Sequence, residues 1–229
     1  MLIQTAVQSG YSRQPVAVAR RQLPAGSHDL ANPIEMMGAS MPFPRNTEIY
    51  GENEPVDYLY KVISGTVRTY KVLVEGRRQI GAFYQPGDVF GLESGDEHSC
   101  SAEAVIDSKV LVIKRSALFA LAARDNEVAR QLWTLTGREL RRVQDHVLAL
   151  IKTAQERVAG FLMEMAERAP KSNRVELPMS RQDIADYLGL TIETVSRTLT
   201  QLENAATIDL PNSRCVVLRN RAALARLNS

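Results

Sequence analysis

The chain has 229 residues, of which 45% are hydrophobic and 24% charged, and its formal net charge is +2. No apolar run approaches the roughly 18 residues that a transmembrane helix needs, and the N-terminus lacks the apolar core of a signal peptide. The two cysteines, Cys100 and Cys215, cannot form a disulfide framework and indicate a reducing compartment. We therefore expect a cytoplasmic protein that does not associate with membranes, built as one large domain or two small ones.

The first 124 residues divide into an arm and a β-rich domain. Residues 1–43 mix Gln, Ser, Pro, Arg and Gly, which predicts a flexible N-terminal arm. Residues 44–124 contain short alternating segments separated by regularly spaced glycines, which predicts an antiparallel β-roll of the jelly-roll kind. Its predicted strands are residues 58–63, 66–74, 79–84 and 109–113, with a further strand after residue 88.

The histidines of the chain disfavour a metal enzyme. Metal centres in β-rolls use several histidines and a carboxylate, whereas His98 is the only histidine in the β-rich segment. We expect His98 and Cys100 to be loop residues, and we expect no metal and no other cofactor.

A long helix is predicted over residues 125–152, after a short one over residues 117–123. The long segment contains no Pro, and its apolar residues recur mostly every three or four positions. A helix of about 25 residues would be about 37 Å long and would suit the seam of a two-helix dimer. The alternative is a helix that lies on its own β-roll, and the two roles are compatible. The residues assigned to dimerisation are Leu132, Leu135, Leu140, Val143, Val147 and Leu150.

Residues 153–229 predict a winged helix-turn-helix. After a helix over residues 153–168 and a short strand, Ser180 is a suitable N-cap, with Asp183 three residues later. Gly189 can end this first helix in the left-handed conformation, and Thr191 can cap a second helix. A β-hairpin over residues 207–218 would form the wing, and a short helix over residues 221–227 closes the chain. Two short helices joined by a glycine-containing turn are the form of a DNA-reading module.

The second helix carries the side chains expected to read bases. Glu193, Ser196 and Arg197 stand at i, i+3 and i+4 and share one face. Arg can donate two hydrogen bonds to guanine, a carboxylate can accept one from cytosine, and Ser can serve several bases. The alternative is a solvated helix with a Glu193–Arg197 ion pair worth about 0.2–0.5 kcal/mol, but the helix-turn-helix context favours DNA reading. The residues assigned to DNA binding are Ser180, Arg181, Gln182, Thr191, Glu193, Thr194, Ser196, Arg197 and Arg214.

Cys215 lies in or beside the predicted wing. Its oxidation would add bulk and charge near phosphate and weaken DNA binding. The alternative, which we favour, is a packed wing residue without a redox role.

The order of β-roll, long helix and winged helix-turn-helix resembles the Crp–Fnr superfamily of transcription regulators. The resemblance covers nearly everything after residue 45, and its most specific parts are residues 83–91 (FYQPGDVFG) and 181–197 (RQDIADYLGLTIETVSR). Glu193, Ser196 and Arg197 resemble the Fnr/FixK branch, which reads TTGA-type half-sites. This FixK-like resemblance implies a homodimeric activator of microaerobic or nitrogen-fixation genes, with double-stranded DNA and RNA polymerase as partners.

The chain also departs from the branches of this superfamily that sense ligands. The cyclic-AMP-binding branch holds the cyclic phosphate with an Arg-Ser pair, where this chain has His98 and Ser99. Without a guanidinium, bidentate phosphate capture is lost. No cysteine precedes Cys100, so the N-terminal cluster of the oxygen-sensing branch cannot form. We therefore expect an effector-independent regulator.

Two alternatives remain open. One is a regulator gated by a small ligand in the β-roll. The other, more remote, is a cupin-like enzyme with an appended helical domain, which would need a His/carboxylate set, a Ser/His/Asp arrangement or a phosphate loop that the sequence lacks.

Overall fold

The computed structural model describes residues 37–168 and 172–227. The N-terminal half is the predicted β-roll, and its paired strands run antiparallel. Gly65, between the third and fourth strands, has a φ of +87°, and an added Cβ would lie 2.6 Å from the carbonyl oxygen of Asp107, so only glycine fits there. The strands are β1 (Ala39–Phe43), β2 (Glu48–Tyr50), β3 (Tyr58–Ser64), β4 (Val67–Val72), β5 (Arg78–Tyr84), β6 (Val89–Phe90), β7 (Ser101–Ala104) and β8 (Ser108–Lys114).

Two four-stranded sheets face each other in the roll, in the orders β1-β8-β3-β6 and β2-β7-β4-β5. Their inward side chains form a common core, because alternate residues of a strand point to the same face. Val62, Val67, Phe90, Ala102 and Val110 are at most 1% exposed in this core.

The predicted arm is shorter than residues 1–43. Its residues 1–36 lie outside the described residues, but Ala39–Phe43 form β1, which pairs with β8 in the register Ala39↔Val112 to Phe43↔Ser108. This strand was not predicted from the sequence, because the strand contains Pro42 and its side chains are mostly exposed. Both features are tolerated at the edge of a sheet, where β1 lies.

Three helices follow, namely α1 (Arg115–Ala122), α2 (Asn126–Ala149) and α3 (Ala154–Glu167). Asp125 caps α2 by accepting hydrogen bonds from the backbone of Glu127 and Val128. Val128 is buried with Leu118 of α1 against the roll, and Leu132 packs against the same cluster. The long helix therefore begins on its own β-roll.

The C-terminal part is a winged helix-turn-helix. Its elements are β9 (Arg174–Glu176), α4 (Arg181–Leu188), α5 (Ile192–Asn204), β10 (Ile208–Asn212), β11 (Cys215–Leu218) and α6 (Arg221–Leu227). The last two strands join β9 in a three-stranded sheet of order β10-β11-β9. The predicted α+β fold, with a β-roll, a long helix and a winged helix-turn-helix, is confirmed. None of the helices in the described ranges is long and apolar enough to cross a membrane.

Candidate DNA-binding surface

The first helix of the helix-turn-helix, α4, is fixed at both ends by local chemistry. The Ser180 hydroxyl accepts a hydrogen bond from the backbone N–H of Asp183 at 3.1 Å, and the Asp183 carboxylate accepts one from the backbone N–H of Ser180 at 3.0 Å. This reciprocal capping box sets the start of α4. Gly189 ends the helix with a φ of 62° in the left-handed region. The chain can therefore turn sharply into α5.

The recognition helix α5 buries one face and exposes the other. Thr191 caps it by accepting a hydrogen bond from the Thr194 backbone at 3.2 Å. Glu193 and Arg197 are exposed and Ser196 is half-buried. The buried face is Val195, Thr198, Leu199 and Leu202, each at most 4% exposed. The predicted separation of a packing face from a polar face is therefore present.

The charged groups of Glu193 and Arg197 stand near the start of α5. Glu193 and Arg197 form no ion pair with any residue of the two described ranges. The i,i+4 ion pair that the sequence allowed is thus not formed, and both side chains are exposed.

The remaining predicted contact residues lie at three places. Ser180, Arg181 and Gln182 are at the start of α4, Thr191 and Thr194 at the start of α5, and Arg214 in the turn between β10 and β11. Gln182 and Arg214 are exposed, whereas Arg181 is half-buried. The hydroxyls of Ser180 and Thr191 are occupied by helix capping, so their role includes holding the helix ends.

Cys215 occupies the inner side of the wing. It starts β11, opposite Glu176 and Asn212, and none of its surface is exposed. Burial raises the pKa of its thiol above the usual value, which disfavours the reactive thiolate. This placement favours the packed residue over the redox site.

An exposed apolar stripe runs along α2. Leu140, Val143 and Val147 are each at least half exposed, and Trp133 is 81% exposed. Trp133, Leu140 and Val147 are spaced by seven residues, as at one position of a coiled-coil heptad. Sequence reasoning missed Trp133, although its spacing from Leu140 was a usable signal. Of the other residues assigned to dimerisation, Leu135 and Leu150 are half-buried, while Leu132 packs against the roll.

Aromatic rings fill the interior of the roll around His98. His98 is 1% exposed and stacks on Tyr50 with ring centroids 3.6 Å apart, and Tyr60 and Phe90 complete the cluster. Its Nδ1 lies 3.4 Å from a carboxylate oxygen of Glu93. Among the described residues no group of three or more His, Cys, Asp or Glu side chains could hold a metal. His98 therefore lies in the loop between β6 and β7, where the sequence placed it, but its ring is packed into the core of the roll.

Comparisons with known proteins agree with both halves of this architecture. The model of the cyclic nucleotide-binding domain matches residues 40–125, and that of the Crp-like helix-turn-helix domain matches residues 156–227. The nitrogen fixation regulation protein FixK of Azorhizobium caulinodans is 52% identical over 205 residues, covering 87% of this chain and 83% of the relative. FixK of Rhizobium meliloti is 40% identical over 79% of this chain and 82% of the relative.

A solved structure shows the same fold. FixK2 from Bradyrhizobium japonicum superposes with a TM-score of 0.81 at 52% identity, covering 84% of this chain and 98% of that chain. The FixK relatives are transcription regulators, which removes the enzyme alternative. The chain belongs to the Crp–Fnr family of DNA-binding transcription regulators and is FixK-like within it.

Proposed function

We propose that the protein is a homodimeric activator that reads a TTGA-type palindrome without a small-molecule effector. The observation that carries the proposal is the exposure of Glu193 and Arg197 in the first two turns of α5, with no ion pair to either of them in the part of the chain that the structure describes. A recognition helix contacts base edges with its N-terminal residues. Arg197 would donate to a guanine, Glu193 would accept from a cytosine amino group, and Ser196 would contact a thymine or the backbone.

The remaining polar residues would position the module on the duplex. Ser180, Arg181 and Gln182 lie at the N-terminus of α4, where backbone N–H groups and the helix dipole favour phosphate. Arg214 is exposed in the wing turn and would contact phosphate as well. Such contacts fix the register of a protein on DNA but carry no sequence information.

The stripe on α2 supports a dimer. A second copy of the chain would cover Trp133, Leu140, Val143 and Val147 by pairing its own α2 alongside. A two-fold axis along this seam would set two recognition helices about one turn of DNA, or about 34 Å, apart. A palindromic operator matches that symmetry.

Two features of the chain support effector independence, one in the roll and one in the sequence before it. The place where the cyclic-AMP-binding branch captures phosphate holds His98, which is buried under Tyr50 rather than open to a ligand. Nor does the chain contain a cysteine before Cys100 that could hold an N-terminal iron–sulfur cluster.

The biological setting follows from the relatives. The two FixK proteins are named as regulators of nitrogen fixation, so we infer control of genes of this type, exerted on DNA in the cytoplasm. Activation would require contact with RNA polymerase, as in other members of the superfamily.

The decisive experiment is a fluorescence-anisotropy titration at fixed salt with no added ligand. One duplex carries TTGA and TCAA half-sites, and a scrambled duplex of equal length is the control. We expect the palindrome to bind at least 10³-fold more tightly than the scrambled duplex, as is typical of specific DNA binding. Equal affinity for both duplexes would contradict the proposal.

The second candidate is an effector-gated regulator, favoured by the match to the cyclic nucleotide-binding domain. It predicts weak binding to the palindrome that increases when cyclic AMP or another cyclic nucleotide is added. An effector-independent regulator would show no such increase.

A further inference from the structure

The helix-turn-helix is docked on the β-roll through α4. The apolar core of the C-terminal part continues into the roll, because Ile80 and Phe83 of β5 belong to the same cluster as Leu188 of α4. At its centre Tyr187, 5% exposed, lies 5.3 Å from the ring of Phe83. In addition, Gln79 of β5 donates a hydrogen bond to the Tyr187 carbonyl at 3.3 Å.

Two arginines of the roll form ion pairs with two carboxylates of α4. Arg68 of β4 donates to Asp183 at 2.9 Å. Arg78 of β5 contacts the same oxygen of Asp183 at 2.5 Å and Asp186 at 2.8 Å. Arg68 also binds Glu103 of β7 at 2.9 Å, which ties the network to the sheet. We name Arg68, Arg78, Asp183 and Asp186 the clamp.

The central carboxylate of the clamp is held in its charged form. Burial acts to raise the pKa of Asp183, but hydrogen bonds from Ser180 and the charges of Arg68 and Arg78 outweigh it, so that the pKa lies below its usual value. The same carboxylate forms the capping box of α4. The clamp therefore holds the N-terminal end of α4, where the proposed DNA contacts Ser180, Arg181 and Gln182 lie.

The clamp leaves the reading surface exposed, and touches it at one point: the side-chain amide of Gln182 donates a hydrogen bond to Asp186 at 2.6 Å. Asp183, Asp186 and Tyr187 share one side of α4 at spacings of three and four residues, and that side is covered by the roll. Gln182 of α4 and Glu193 and Arg197 of α5 remain exposed while the clamp is closed. The docked arrangement is therefore compatible with DNA binding.

We propose that Arg68 and Arg78 are positioning residues, which hold the helix-turn-helix in its DNA-reading orientation through Asp183 and Asp186 and so do the work that a bound effector does in ligand-gated regulators. This inference rests on the proposed function. Its physical basis is that a rigid link between roll and α4 fixes where each recognition helix lies relative to the dimer axis. A loosened clamp would let the two helices change their separation.

The test uses Arg78 and Asp186, because Asp183 also caps α4 and Arg68 is buried. The variants are Arg78→Ala, Asp186→Ala and the double variant in the full-length protein. Arg77→Ala is the matched control, since Arg77 lies one position away, carries the same charge and pairs with the exposed Glu75 rather than with α4. Each protein is titrated with the palindrome and with a duplex whose half-sites are one base pair further apart.

We expect Arg78→Ala and Asp186→Ala each to weaken binding to the palindrome about tenfold, within the usual range for coupling between distant sites. Their preference for the correct spacing should fall too, and the double variant should be no worse than either single one. Removal of the negative charge of Asp186 would by itself leave DNA binding unchanged or strengthen it. Because Asp186 also accepts a hydrogen bond from Gln182, Asp186→Asn, which keeps an acceptor for Gln182 but loses the charge that pairs with Arg78, is titrated beside Asp186→Ala and should weaken binding as well. The proposal is overturned if Asp186→Ala binds as tightly as the native protein, or if Arg78→Ala matches Arg77→Ala.

A second measurement does not need DNA. Genetically encoded ketone amino acids at Lys109 of the roll and Thr200 of α5, both exposed, carry a fluorescent donor and acceptor. We expect a broader distance distribution in Arg78→Ala and Asp186→Ala than in Arg77→Ala. An unchanged distance distribution would overturn the proposed role of the clamp, whatever the titrations show. If the distribution broadens in the clamp variants but the native protein does not prefer the palindrome, only the proposed function is contradicted. If the alanine variants do not fold, Arg78→Lys and Asp186→Asn take their place under the same criteria.

Discussion

The imidazole of His98 lies flat against the phenol ring of Tyr50, with planes only 10° apart and both residues buried. A ligand that entered this part of the roll would have to separate the two rings. We therefore predict that 1 mM cyclic AMP does not raise the melting temperature of the protein. A ligand at about 100 times its Kd would add about 2.7 kcal/mol of stability, which would shift the melting temperature by several degrees. Such a shift would contradict effector independence.

Arg197 is expected to provide sequence discrimination rather than general affinity. Arg197→Ala should cost about 1–3 kcal/mol of binding free energy on the palindrome and relax the preference at the guanine that Arg197 is proposed to read. The measurement is the affinity for four duplexes that differ only at that base pair, in both half-sites. Undiminished discrimination in the variant would show that another residue reads this base.

Arg214→Ala serves as the contrasting variant. If Arg214 is the phosphate contact proposed above, its removal should weaken binding to all four duplexes by the same factor and lower the salt dependence of binding by about one unit of slope. A base-dependent effect of Arg214→Ala would assign the wing a reading role instead.

Leu140 should be indispensable for the dimer. It is 58% exposed on the apolar stripe of α2, and a glutamate there would place like charges against each other across a two-fold seam. We expect Leu140→Glu to be a folded monomer in sedimentation velocity. Thr134→Glu, also exposed on α2 but off the stripe, should remain dimeric. A dimeric Leu140→Glu protein would move the interface elsewhere.

The fold was largely predictable because its signals are local. Ser180, Asp183 and Gly189 mark the ends of α4 by capping chemistry that depends on neighbouring residues only, and the apolar period of α5 specifies its buried face. These features survive folding unchanged, so the helix-turn-helix and the exposure of Glu193 could be predicted before the structure was known.

The features that were not predicted from the sequence depend on contacts between residues that are far apart in the chain. Arg68 and Asp183 are separated by 115 positions in the chain, and nothing in the vicinity of either predicts the other. β1 is stabilised by pairing with β8 about 70 positions later, and its own sequence lacks alternation. Trp133 was overlooked because the helical period alone does not say which apolar residues of α2 the roll covers.

Cys215 provides a test of the wing. Its thiol is buried and has a raised pKa, so we predict that mild peroxide treatment leaves DNA affinity unchanged. The reactive form is the thiolate, which this environment disfavours. Cys215→Ser, treated in parallel, controls for oxidation at Cys100 and at methionines. Loss of affinity in the native protein but not in Cys215→Ser would establish a redox role.

Glu164 of α3 links pH to stability. Its carboxylate accepts a hydrogen bond from the Tyr187 hydroxyl at 3.4 Å, and burial raises its pKa above the usual value, against the opposing charges of Arg168 and Arg142. The folded state therefore holds the proton more tightly than the unfolded state. Stability should fall as the pH rises from the ordinary glutamate pKa through the raised one.

Glu164→Gln removes the charge but keeps an acceptor for Tyr187. We predict that this variant is more stable than the native protein near about pH 7 and that the advantage shrinks towards about pH 4, because the native carboxyl is then protonated as well. Urea unfolding across this range measures the difference in free energy. Glu167→Gln, an exposed position on the same helix, should show no comparable trend. A Glu164→Gln protein that is less stable at neutral pH would mean that the charged carboxylate is needed by Arg168 and Arg142.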